Sequence, residues 1–199
     1  MRSTLTSLTA IAAITLLGGC STNPDSEETP ASTGTPTVEE DTATEEAAFT
    51  LEEADAEDID RALTALVEEV GEEPAQITEL NISNSAVGIY AVDPSAPDEL
   101  NAWEYRDGSV GPSNPVDYGG DTEALSQNLF STADVSASVI ENALSEAPET
   151  GEIEDGEVDG LTMVWMGPDL GVVMQISVSG ERESGLVRFE PDGTFIEVL

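Results

Sequence analysis

Two stretches of this chain set apolar residues at helical spacing, and each runs on into β-rich segments. That order, helix then strands, met twice, is the strongest constraint on the fold. In the first stretch Ile59, Leu63, Leu66, Val67 and Val70 share one helical face. Thr50 precedes the acidic pair Glu52 and Glu53, which suits a helical first turn, and Gly71 and Pro74 mark the end. β-rich runs follow at 77–83, 86–92 and 99–106, with turns at Asn84-Ser85 and within 93–98. After a Gly/Pro-rich stretch over 107–122 the plan starts again. A helix is expected from about Thr132 to Ala147, with Val139, Ile140, Ala143 and Leu144 inward and Pro148 stopping it. Strands are expected at 157–166, 170–179, 183–190 and 194–198, turning at Pro168-Asp169, Ser179-Gly180 and Asp192-Gly193. The pattern predicts an α+β fold of two tandem helix-then-antiparallel-meander repeats, residues 49–122 and 123–199, with the helices packed on one sheet face.

Leu63, Leu66 and Val67 map onto Ile140, Ala143 and Leu144, and Asp107-Gly108 maps onto Asp192-Gly193. In this element order, including the strand-turn-strand finish at Val187–Ile196, residues from about 50 to 199 resemble PepSY-like domains and the tandem fold of the β-lactamase inhibitory protein. The resemblance implies a fold only. The two cysteine pairs of the inhibitory protein have no counterpart here, so neither its function nor its contact residues carry over.

Upstream, Leu17-Gly18-Gly19-Cys20 contains the chain's only cysteine. Leu, two small residues and then Cys resembles the lipobox of bacterial lipoproteins. That implies a thioether-linked diacylglycerol on Cys20 and removal of the signal peptide, residues 1–19. The apolar run over 5–17 falls short of the roughly 20 residues a spanning helix needs. Residues 20–48 are mostly Ser, Thr, Pro, Glu, Asp and Ala, with one isolated Val38. Such a segment has no apolar surface to offset the entropy of ordering, so it reads as a disordered acidic tether. The expected location is the cell membrane, lipid-anchored and facing the extracytoplasmic side. A lysine-free acidic composition behind a lipobox is similar to that of high-GC actinobacterial lipoproteins.

Charge narrows the partners. The chain carries 42 acidic against 5 basic side chains, all five arginine, and no histidine. Nucleic acid is excluded as a partner, because nothing would neutralise its phosphates. Binding flat on anionic lipid is disfavoured for the same reason. Crowded carboxylates are expected to titrate above their unfolded values, and salt to stabilise the domain at neutral pH. Catalysis has little to use: His and Lys are missing, and Cys20 is committed to lipid. The chain is read as a non-enzyme without a cofactor. Asp155-Gly156-Glu157-Val158-Asp159-Gly160 matches the first half of a calcium loop, but the twelfth position is Met166 and no helix follows. It is read as a solvated acidic turn, so no metal is expected.

The aromatic and apolar strands are more informative. In 99–106 the pleat places Asn101, Trp103 and Tyr105 on one face. In 161–166 both faces are apolar, Leu161, Met163 and Trp165 against Thr162, Val164 and Met166. A strand apolar on both faces is covered on both, by the protein or by a partner. Trp103, Tyr105, Val164 and Met166 are therefore the candidate partner surface. Two functions follow: a non-catalytic module that binds an envelope protein or peptide through a sheet face or edge, or a carrier of an apolar small molecule such as a lipid. An enclosed apolar cavity would mark the carrier.

Overall fold

The computed structural model describes residues 49–199. The expected signal peptide, Cys20 and the expected tether lie outside the described residues. Within them the chain is α+β: the two long helices lie on one face of a single antiparallel sheet of 10 strands.

Helix α1, Ala56–Val70, starts later than Thr50 suggested. Its N-cap is Asp55, whose carboxylate accepts from the N–H groups of Glu57 and Asp58 at 2.9 and 3.0 Å, while Asp58 reaches back to the Asp55 N–H. This reciprocal cap satisfies donors that Thr50 would have left open. Residues 50–53 instead form a turn, and the Leu51 N–H bonds the Asn84 carbonyl. Gly71, at φ 83°, closes the helix in the left-handed conformation. Ile59, Ala62, Leu63, Leu66 and Val70 are buried, and Val67 packs partly against them.

Strands β1 (Gln76–Ser83), β2 (Ala86–Asp93) and β3 (Ala96–Arg106) follow as an antiparallel meander. The β2–β3 turn is tighter than the sequence suggested: only Pro94 and Ser95 lie between the strands. Asp107 and Gly108, both with positive φ, turn the chain into β4, Ser109–Val110. The Gly/Pro-rich stretch, expected to divide two repeats, instead lies along the sheet: β4 and β5 (Asn114–Val116) both pair with β3.

Two short elements then appear that sequence periodicity missed. Helix α2, Thr122–Gln127, is capped by Asp121, and β6, Phe130–Ser131, pairs with the start of β1. Neither is long enough to repeat an apolar pattern. The second long helix is shorter at its start than expected. A 3-10 turn takes Thr132–Asp134, and α3 covers Ala137–Thr150. Pro148 does not stop α3. It sits in the last turn, where it forfeits the single bond to Leu144, and the Gly151 N–H still reaches the Ala147 carbonyl at 2.8 Å.

Strands β7 (Glu157–Trp165), β8 (Val172–Ser179), β9 (Ser184–Phe189) and β10 (Phe195–Val198) form a second meander. The strand order is β10-β9-β8-β7-β1-β2-β3-β4. The two meanders join where β1 and β7 pair, Leu80 opposite Met163 and Ile82 opposite Leu161. Helix α1 lies over β2, β3 and β4, α3 lies over β7, β8 and β9, and the helices touch each other. Between helices and sheet sit Ile59, Leu66, Ile77, Leu80, Ile89, Ile140, Met174 and Ile176, all without solvent contact.

The seam between β1 and β7 requires a glycine. Gly160 pairs with Ser83, and a Cβ there would stand 2.7 Å from the Ile82 carbonyl oxygen. Gly160→Ala should therefore destabilise the fold by about 1–3 kcal/mol, because the obstacle is backbone and cannot rotate away. Gly88→Ala, whose Cβ would meet the nearest atom at 3.4 Å, should cost well under about 1 kcal/mol. Chemical denaturation of both variants checks the contrast; equal midpoints would refute it.

Candidate functional site: the uncovered half of the second sheet face

The face of the sheet away from the long helices is divided in two. Over the first meander the chain covers itself. Val92 and Leu100, on β2 and β3, pack with Leu125 of α2 into a second buried cluster, bordered by Tyr90, Val116, Tyr118 and Leu129. The Tyr118 hydroxyl fastens this cover by donating to the Asp98 carbonyl at 2.6 Å. The end of the Gly/Pro-rich stretch and α2 thus form the lid of a small core.

No equivalent cluster covers the second meander among the described residues. There the outward positions alternate with core residues: Asn81 with Leu80 and Ile82, Thr162 with Leu161 and Met163, Gln175 with Met174 and Ile176, Arg188 with Val187 and Phe189. Their registers align. Asn81 stands opposite Thr162, Thr162 opposite Gln175, Gln175 opposite Arg188, and Arg188 opposite Glu197. Hydrogen bonds run through most of this row. The Asn81 amide donates to Glu79 at 2.6 Å and accepts from the Thr162 hydroxyl at 2.8 Å. Arg188 donates to the Gln175 side-chain carbonyl through Nε and Nη2, and to Glu197 through Nη1 at 2.7 Å. Its side chain is only 13% exposed, so the guanidinium is held in place rather than free to sweep.

Beside this polar row runs an apolar one. Val164 pairs with Val173, which is fully buried, and Met166 stands at the end, 38% exposed. The Gln175 amide lies 3.9 Å from the Met166 sulfur, linking the two rows.

The four residues singled out from sequence do not form one surface. Val164 and Met166 lie on the uncovered face. Trp103 and Tyr105 lie on the opposite face, in the core beneath α1, at 7% and 3% exposure. Alternation correctly groups Asn101, Trp103 and Tyr105, but parity alone does not tell which face the helices take. The register settles it: Trp103 is opposite Ile89, and Tyr105 opposite Val87, both core residues. The polar row escaped the sequence reading because its members lie on five strands and become a row only through pairing.

An enclosed carrier cavity was the mark of the lipid-carrying alternative. The side chains between helices and sheet that have zero exposure border no void large enough for water. A groove of about 350 Å³ along the flank of α1 and another of about 780 Å³ beside α3 open at the surface and carry carboxylates.

The calcium-like stretch is dispersed. Asp155 sits in a turn at φ 50°, and both oxygens of Asp159 accept from the Ser179 hydroxyl. Among the described residues no three His, Cys, Asp or Glu side chains gather as a metal site. The carboxylates clearly displaced in pKa move down, against the expectation from crowding. Asp93 is lowered by the Ser95 hydroxyl and N–H, and Asp192 by the Thr194 N–H and hydroxyl. Local hydrogen bonds in tight turns outweigh diffuse repulsion there. Their stabilising contribution is present above the ordinary aspartate range and is lost as pH falls through the lowered values.

The chain matches no protein-family model, no curated protein and no solved structure.

Burial separates the candidate residues energetically. Trp103→Ala should cost about 3–5 kcal/mol by emptying the space under α1. Met166→Gln should stay within about 0.5 kcal/mol, as surface changes do. Tyr105→Phe should be neutral or stabilising, since the buried Tyr105 hydroxyl has no hydrogen-bond partner to lose. Denaturation midpoints of the three variants test the assignment; a large loss for Met166→Gln would place it in the core.

Proposed function

We propose that this protein is a lipid-anchored, extracytoplasmic interaction module, non-catalytic, that binds an envelope protein or peptide through the uncovered half of its second sheet face. One observation carries the reading. Among the described residues, α2 and its flanking loop cover the apolar second face of the first meander, whereas on the second Val164 and the exposed Met166 stand beside an ordered polar row. An apolar stripe flanked by fixed donors and acceptors suits specific, reversible recognition. The face is favoured over an edge. β10 is four residues long and bulged between Phe195 and Glu197, and at the other end β5 carries Pro115; both devices discourage strand addition. The two meanders, each behind its helix, are read as tandem copies that diverged when one second face acquired its own lid. The likeness to PepSY-like and inhibitory-protein folds rests on that element order.

The anchor is Cys20 in the lipobox, and residues 20–48 tether the domain to the membrane. A span of roughly 30 Å root-mean-square, up to about 90 Å extended, lets the domain search for its partner.

Two measurements test the proposal. Cys20→Ala should abolish fatty-acid labelling and leave the precursor uncleaved; labelling at the level of the unaltered chain would refute the anchor. Photocrosslinkers placed at Val164 and Met166 in intact cells should capture one discrete partner. Met166→Gln should remove that capture while leaving the melting temperature unchanged. Capture that depends equally on probes at Glu181 and Glu183, outside this face, would refute the assigned surface.

A further inference from the structure

The groove along the flank of α1 is a second surface, independent of the sheet face. Its apolar lining is Leu63 and Val67, one turn apart on α1, with Pro74 and Val135. Asp60, Thr64 and Glu68, at successive turns of α1, line it as well, together with Glu73, Thr132 and Ala133. Asp60 and Glu68 are thus separated by about 12 Å along the axis. Among the described residues no cation lines the groove. Arg61, Arg106 and Arg188 are held by Asp58, Glu104 and Glu197.

The helix dipole adds partial negative charge at the end of α1 that borders the groove. The C-terminal end of a helix carries partial negative charge, and Lys or Arg ordinarily fills its last turn. The last turn of α1 has no basic residue; it carries Glu68 and Glu69, and Glu72 and Glu73 follow directly. Carboxylates set against the dipole destabilise the isolated domain, a local conflict that a bound cation would relieve.

We propose that this groove receives a lysine or arginine side chain presented by a partner protein. The aliphatic stem lies on Leu63, Val67 and Val135, and the charged head reaches Glu68 and Glu73 at the end of α1. Such a side chain combines an apolar stem with a cationic tip, as the groove combines an apolar lining with carboxylates. The acidic tether cannot be the occupant, because residues 20–48 contain no basic residue.

The test uses the full chain carrying Cys20→Ser and a blocked tetrapeptide, Leu-Arg-Leu-Arg, titrated while the methyl resonances of Leu63, Val67 and Val135 are followed. Those methyls should shift together and saturate, and Leu-Gln-Leu-Gln should leave them unmoved. Glu68→Gln with Glu73→Gln should weaken binding at least about fivefold, whereas Glu181→Gln with Glu183→Gln, the same charge change on an exposed turn, should weaken it less than about twofold. Equal weakening by both pairs would show diffuse attraction to an acidic surface and overturn the site. Shifts scattered over other residues, or no saturation, would overturn it as well.

Discussion

Everything in this fold hangs on the pairing of β1 with β7. Each is the first strand of its meander, and the other edge of each is taken by its own hairpin partner. Joining them makes one sheet out of two and brings α1 and α3 side by side over its centre. Leu80, Met163, Ile82 and Leu161 stand directly across the seam, each nearly or fully buried. At about 1.5–3 kcal/mol per fully buried apolar side chain, this quartet is comparable with the whole net stability of an ordinary domain. The seam also has a steric condition. Ile82 presents its carbonyl where a side chain at Gly160 would stand, so close approach of the backbones depends on that one residue.

The charge balance acts on top of this frame without shaping it. Carboxylates cap α1 through Asp55 and α2 through Asp121, and they fix tight turns through Asp93, Asp117 and Asp192. These are local tasks in which an acidic side chain accepts from backbone N–H groups, and they use the negative charge favourably. The remaining acids among the described residues are not buried, and salt screens their mutual repulsion. Sodium chloride should accordingly raise the melting temperature at neutral pH, and a flat response between low and physiological ionic strength would show that the capping carboxylates dominate.

What could be read from sequence was whatever repeats locally. Ile59 to Val70 and Ile140 to Leu144 announce their helices, and the alternation in 86–92 and 172–179 announces strands, because the period is written in neighbouring residues. The edges of elements were less legible. Thr50 and Asp55 both offer an oxygen ahead of α1; the reciprocal bond with Asp58 decides between them, and that depends on three-dimensional geometry. Pro148 breaks a rule that holds for helix interiors but loses force in a last turn. α2 and β6 carry too few residues to show any period. The candidate surface was half legible for a related reason. Alternation assigns Trp103 and Val164 each to a face of its own strand, but only the register across β7, β1, β2 and β3 shows that these faces are opposite sides of the sheet.

The polar row on the uncovered face completes the physical argument. A sheet whose inner face is largely aliphatic gains similar burial energy in several registers two residues apart, since Val, Ile, Leu and Met substitute for one another at small cost. The outer face removes that degeneracy. Thr162 meets Asn81, and Arg188 meets both Gln175 and Glu197, in one alignment only. Sliding β9 by two residues would leave the poorly exposed guanidinium of Arg188 without its acceptors, which costs more than the aliphatic face could return. The row that pins β7 against β1, and β9 against β8 and β10, also borders Val164 and Met166. A surface that the chain leaves uncovered is in this way kept rigid, and rigidity lowers the entropic cost of recognition.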